Sequence, residues 1–204
     1  MAETSRTSPV RPAQPSLRER TRAAMRTEVS EVAFRLFAEQ GYDSTTVEQI
    51  AAEAGLSRTT FFRYFGTKEE VVLGRLGEVG HQIAAALAAR PPHERPWDSL
   101  RRAFDVITET DPDQSLNLIR LLNDACALMT YQWQKTQGWQ SILVPEISRR
   151  LGNDPAADLR ASALAASAIA CLNAAIDTWT TSDGSTPLSG LLDQAMSTLS
   201  ELST

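Results

Sequence analysis

The chain has two histidines, His81 and His93, and two cysteines, Cys126 and Cys171, in 204 residues. That scarcity leaves no metal-spaced His or Cys cluster, and no phosphate-cradling P-loop is present either. The sequence therefore predicts no enzyme, no metal site and no cofactor. Both cysteines fall within helical patterns and read as buried small apolar residues rather than as a disulfide or a redox pair. No run approaches the roughly 18 apolar residues that a membrane span requires. Residues 1–15 hold Pro9, Pro12 and Pro15 among polar neighbours and lack the apolar core of a secretory signal. The expectation is a cytoplasmic protein with no membrane partner. Glycine and proline are sparse inside the periodic stretches and β-branched runs are absent, so the predicted fold class is all-α.

Positive charge is also short overall, at a formal net of −5, which suits nucleic acid poorly until it is divided along the chain. Residues 1–68 hold ten Lys or Arg and eight Asp or Glu, a net of +2, and residues 69–204 hold ten and seventeen, a net of −7. An acidic body repels a polyanion, so any DNA must be met by the basic end.

What is present is concentrated between Thr45 and Phe65. Thr45 and Glu48 stand in capping-box spacing at a helix start, and Val47, Ile50, Ala51 and Ala54 then fall on one face. Gly55 is placed to end that helix in a left-handed conformation, Leu56 to plug the turn and Ser57 to cap the next helix. On that second helix Phe61 and Phe65 are one turn apart and face inward. Thr59, Thr60, Phe62 and Arg63 are left outward, where Arg can fork onto guanine and Thr or Phe can touch a thymine methyl. This is helix-turn-helix grammar, and it predicts a chain that reads double-stranded DNA.

Around this pair run Ala38-Glu39-Gln40-Gly41-Tyr42-Asp43, Thr45-Thr46-Val47, Ile50-Ala51, Ala54-Gly55-Leu56-Ser57, Phe61 to Phe65, and Lys68-Glu69-Glu70. In this order they resemble the tetracycline-repressor (TetR) family of transcriptional regulators over residues 17–72. The resemblance implies an N-terminal three-helix DNA-binding domain, a connecting fourth helix, and a C-terminal helical bundle for ligand binding and dimerisation. It places Arg58, Thr59, Thr60, Phe62 and Arg63 towards bases, and Thr46, Tyr64 and Lys68 on phosphates. Two departures stand out. Phe62 replaces the usual Tyr and lacks its hydroxyl, and Gly66-Thr67 replaces the frequent Pro-Ser or Lys-Thr, although Thr67 and Glu70 keep capping-box spacing.

The predicted organisation is a disordered arm over 1–15, a DNA-binding domain over 16–66 and a ligand-binding and dimerisation domain over 67–204. The connecting helix covers about 68–90, and Gly74, Gly77 and Gly80 recur along it, where they permit close helix contact or a bend. A helix through Leu100, Phe104 and Ile107 precedes an Asp-Pro-Asp break. Residues 116–133 are apolar nearly all round, like a helix buried in a bundle. Gly138 and Pro145 interrupt the stretch after it.

Candidate pocket residues are Phe104, Leu122, Cys126, Met129, Trp133 and Trp139, which predict a mostly apolar or aromatic ligand. The alanine-rich stretch 156–179 and the leucine stripe after 187 resemble the family's dimer pair. Leu164, Ala168, Leu172, Leu188, Leu191, Leu192, Ala195 and Leu199 are the expected interface. The function implied is a homodimeric repressor released from a palindromic operator by a small-molecule effector. The competing reading is a helical dimeric interaction protein with no response to DNA or ligand.

Overall fold

The computed structural model describes residues 16–109, 116, 119–120, 129–152 and 155–201, with residue 19 and residues 129–135 described by backbone alone. The arm over 1–15 and the pocket candidates Leu122 and Cys126 lie outside the described residues. Every regular element among those described is a helix. They are α1 (Leu17–Gln40), α2 (Val47–Glu53), α3 (Arg58–Tyr64), α4 (Lys68–Ala89), α5 (Pro96–Ala103), α6 (Asp105–Thr108), α7 (Met129–Leu151), α8 (Ala157–Thr181) and α9 (Leu188–Glu201).

Apolar side chains collect in two cores. The smaller gathers Val29, Ala33 and Phe37 of α1, Ile50 and Ala51 of α2, Phe61 of α3, the flanking Tyr42 and Phe65, and Val71 and Val72 of α4. The larger begins at Ile83 and Leu87 of α4 and takes in Leu100, Phe104, Trp139, Leu143, Ile147, the inner face of α8 and Leu188, Leu192 and Met196 of α9. The fourth helix thus belongs to both. At 22 residues it is about 33 Å long, enough to pass from one core to the other.

The start of α2 corrects the sequence expectation by one residue. Thr45 is buried and its hydroxyl donates to the Gly41 carbonyl at 2.8 Å, so it is not available as a cap. Thr46 is the N-cap: its hydroxyl accepts from the Gln49 N–H, and the Gln49 side chain accepts from the Thr46 N–H at 2.8 Å. Gln49, rather than Glu48, closes the capping box, and the Glu48 carboxylate is left out of it. At the other end Gly55 takes φ of +66° and the Leu56 N–H returns to the Ala51 carbonyl at 2.7 Å. This six-residue closure needs a left-handed residue immediately before the one that donates, a conformation glycine adopts without strain. Ser57 then accepts the Thr60 N–H at 3.1 Å and opens α3.

Three further expectations change in the bundle. The helix predicted through Phe104 is broken there, with the backbone tightening between α5 and α6. Conversely, α7 continues straight through Gly138 and Pro145. A proline inside a helix costs about 3 kcal/mol, but Trp139, Leu143 and Ile147 repeat every fourth residue on its buried face. That burial, on the order of 1.5–3 kcal/mol per large side chain, holds the helix while Pro145 faces outward. Finally, α8 is 25 residues long and apolar enough by length and composition to cross a membrane, contrary to the sequence reading. Here its inner face, with Ala161, Ala165, Ala168, Leu172, Ala175 and Trp179, forms part of the large core.

Candidate DNA-reading surface

The two faces of α3 separate cleanly. Phe61 and Phe65 are fully buried, with ring centroids 5.3 Å apart. Phe62 is 43% exposed, and Arg58, Thr59 and Arg63 are exposed beside it. Thr60 is half-buried, its hydroxyl 2.9 Å from that of Ser57. Neither arginine hangs free. The Arg58 guanidinium lies 5.5 Å from the Phe62 ring centre, and its Nε is 3.0 Å from Glu48 Oε1. Arg63 lies over Tyr64 at 5.3 Å.

The residues expected on phosphates flank this face with their polar groups partly engaged. The Thr46 hydroxyl is occupied by the α2 cap. Lys68 Nζ donates to the Tyr42 carbonyl at 2.7 Å and the Thr45 carbonyl at 3.1 Å, and sits 4.1 Å from the Tyr42 ring centre. This fastens the start of α4 to the turn between α1 and α2. Only half of the capping box expected at Thr67 forms: Thr67 accepts the Glu70 N–H, but the Glu70 carboxylate accepts from Gly66 N–H at 2.8 Å. Glu69 accepts the Tyr42 hydroxyl at 2.8 Å. Burial alone raises the Glu69 pKa, but its own backbone N–H, the hydroxyls of Thr67 and Tyr42 and the charge of Lys68 together lower it.

In the bundle, Phe104 and Trp139 are buried members of the large core. Met129 and Trp133 lie on α7, within the stretch described by backbone alone. An open cleft of about 480 Å³ between α5 and α9, lined by Trp97, Arg101, Asp193 and Met196 among others, includes neither Phe104 nor Trp139 in its described lining. Trp139 has a specific partner. Its indole N–H donates to the Leu76 carbonyl of α4 at 2.8 Å, and the ring lies so close to Gly80 that a Cβ there would fall 2.5 Å from Trp139 Cδ1.

Eleven positions further along both helices, Arg150 caps the end of α4. Its side chain is 3% exposed and donates to the carbonyls of Leu87, Arg90 and Pro91, while Glu146 supplies the counter-charge at 3.2 Å. A cation on the last carbonyls of a helix also faces the negative end of its dipole. Since the pairs 76 to 139 and 87 to 150 advance together, α4 and α7 run parallel, fastened at two points about three turns apart.

The expected dimer residues divide. Ala168, Leu172 and Leu192 are fully buried within the chain and leave no side-chain surface for a partner, and Leu188 keeps only 5%. This corrects their assignment: a leucine stripe buries against the nearest apolar face, here the two helices of one chain. Leu164, Leu191 and Ala195 are half-buried against the same core, and Leu199 is exposed. The outward face of α8 instead carries Leu159, 74% exposed, with Ala163, Ala170 and Ala174 along it.

Comparison with known proteins settles what this arrangement is. Residues 30–74 match the model of bacterial regulatory proteins of the tetR family, and residues 94–203 match that of the MftR C-terminal domain. The transcriptional regulator TcmR of Streptomyces glaucescens is 32% identical over 158 residues, covering 73% of this chain and 70% of that protein. The chain belongs to the TetR family. Solved TetR structures share its fold. One from Syntrophomonas wolfei superposes with a TM-score of 0.64 at 19% identity, covering 88% of this chain and 94% of that one. FadR of Thermus thermophilus, a TetR-family repressor in complex with lauroyl-CoA, gives 0.53 at 22% identity, covering 84% and 91%.

The protein is accordingly a TetR-family transcriptional regulator, and its relatives are regulators of transcription rather than enzymes. Regulators of this family bind operator DNA and small-molecule effectors and form dimers. Three contacts important to the geometry escape sequence reasoning. Glu48 is absorbed into the wrong capping box, and Arg150 reads as one more surface charge in a helix end. The approach of Trp139 to Gly80 leaves a trace in the recurrence of glycine on α4, but nothing in the sequence names the partner.

Proposed function

We propose that the chain is a homodimeric repressor acting in the cytoplasm, which holds a palindromic operator through α3 of each subunit and releases it when a mostly apolar or aromatic effector enters the bundle. The observation that carries this reading is the division of α3, with Phe61 and Phe65 anchored inward while Arg58, Thr59, Phe62 and Arg63 stand together outward. Thr60, half-buried at the edge of that face, stays with the candidate base contacts, and Tyr64, Thr46 and Lys68 border it as the candidate phosphate contacts. Two such helices related by a dyad read half-sites one helical turn, about 34 Å, apart.

Dimerisation through the outward Leu159, Ala163, Ala170 and Ala174 of α8, with Leu199 of α9, fits the small side chains there, which let two helices approach closely. The effector region is assigned to the bundle around Phe104 and Trp139, with Leu122, Cys126, Met129 and Trp133 as further candidates. An effector that changes the tilt of α7 carries α4 with it through Trp139 and Arg150, and so alters the spacing of the recognition helices. By linkage, operator DNA weakens the effector by the same factor by which the effector weakens DNA. The interaction-protein reading is not favoured by the family match, and an outward face of arginine and phenylalanine has no evident use in it.

The test is selection of duplexes from a random library by the purified full chain, followed by effector screening for release. A two-fold symmetric consensus supports the proposal. Enrichment of no sequence, at low salt and with an intact dimer, would sink it.

A further inference from the structure

Exposed ion pairs contribute little to stability, so the pair between Glu48 and Arg58, both more than half exposed, calls for another explanation. Its location is unusual. A carboxylate bordering a DNA-reading surface repels phosphate unless a cation neutralises it. Here the cation is an arginine of the recognition helix, and the approach is at Nε, 3.0 Å from Glu48 Oε1. The guanidinium carbon also lies over the Phe62 ring, 5.5 Å from its centre. Two neighbours, a carboxylate and an aromatic ring, thus restrict a side chain that otherwise samples many rotamers.

The terminal nitrogens, the fork that matches guanine O6 and N7, donate no hydrogen bond to any described residue. Arg63 makes an informative contrast: it has the Tyr64 ring at 5.3 Å and no carboxylate among its described partners.

We propose that Glu48 and Phe62 form a buttress that fixes Arg58 as a guanine reader, making Glu48 a specificity-determining positioning residue on α2. This rests on the DNA-reading role assigned to α3 above. Glu48 holds the fork before DNA arrives, so the ordering is already complete when the fork meets a base, and its charge penalises every complex in which the fork is not satisfied. Discrimination at one base pair is then sharpened from both directions, as in specificity by built-in repulsion. Phe62, which lacks the hydroxyl of a tyrosine, acts as the apolar wall of the same device.

The experiment compares wild type with Glu48→Gln, Arg58→Ala and Phe62→Leu, using the full chain. The selected operator and a set of its single-base substitutions are titrated at one salt concentration, beside random duplex DNA. Wild type is expected to demand guanine at one position per half-site, and Arg58→Ala to lose that demand. Glu48→Gln is expected to reduce the preference for guanine at that position about tenfold while leaving the other positions unchanged and tightening binding to random DNA. Phe62→Leu is expected to weaken the preference at the same position.

Glu48→Gln that keeps the full guanine preference, relaxes all positions equally, or loses preference at a different base pair overturns the buttress while leaving DNA reading intact. If Arg58→Ala changes no base preference, the role of Arg58 itself falls. Melting curves of each variant separate these outcomes from misfolding.

Discussion

Trp139 of α7 donates its indole N–H to the Leu76 carbonyl of α4, with its ring laid across Gly80. The ring is rigid, and a methyl group at position 80 would meet Cδ1 at 2.5 Å and Nε1 at 2.7 Å. Gly80→Ala is therefore expected to destabilise the protein by about 1–3 kcal/mol, the range for overpacking. Gly77→Ala, where no described residue lies within 4 Å of the added carbon, is expected to stabilise it by about 1 kcal/mol through helix propensity. Urea melts of the two variants decide the matter, and equal shifts would contradict the close approach.

Phe61 and Phe62 are neighbours with opposite fates. Phe61→Ala should remove about 3–5 kcal/mol of stability, as for other aromatic residues truncated in a core, and DNA binding should go with it. Phe62→Ala should leave the melting temperature nearly unchanged and weaken operator binding by about 1–3 kcal/mol. Melts beside operator titrations check both, and the reverse pattern would mean that the faces of α3 are exchanged.

Lys68 has three donors, two of them on the carbonyls of Tyr42 and Thr45, which leaves one for a phosphate. Lys68→Ala is expected to lower the melting temperature and also to reduce the salt slope of DNA binding by about one, uniformly across sequences. An unchanged slope with a lowered melt would confine Lys68 to its structural contacts.

Assembly is tested on the outward face of α8. Ala170→Arg puts two cations at a two-fold interface and is expected to give monomers by sedimentation, with operator affinity lowered at least tenfold. A dimer of undiminished affinity would locate the interface elsewhere.

Glu94 is held down to a pKa of about 2, first by hydrogen bonds from Arg90, then by the Ser99 hydroxyl and the nearby charges of Arg90 and Arg150, against the opposing effect of burial. A carboxylate depressed in the folded state contributes stability above its ordinary value of 4.5 and loses it as pH falls towards 2. Wild type should therefore melt higher than Glu94→Gln at pH 7, with the gap narrowing progressively below pH about 4.5. A gap independent of pH would show that the ion pair contributes nothing.

The helix-turn-helix is legible in the sequence because its signals are local. Gly55, Leu56, Ser57 and the phenylalanine pair each act within one turn of their own position, and the structure places them as expected. The cap at Thr46 is missed by one residue because Thr45 and Thr46 both offer a hydroxyl, and only the burial of Thr45 against Gly41 decides between them. In the bundle the deciding contacts span about 60 residues or more, from Leu76 to Trp139 and from Leu87 to Arg150. No spacing rule reaches that far. The α9 leucines are legible as an apolar stripe, but a stripe does not say whether its cover comes from the same chain or another.

The sharing of α4 between the two cores bears on how such regulators can be recombined. Val71, Val72 and Leu76 complete the packing around Phe61 and Phe65, whereas Val79 and Ile83 already belong with the bundle. A recognition head transplanted with a seam at residue 66 would leave its own interior open on one side. The natural seam for a chimaera lies between Leu76 and Val79. That is also the turn on which Trp139 rests, so a graft keeps its response only if the recipient bundle brings an equivalent ring to the same carbonyl.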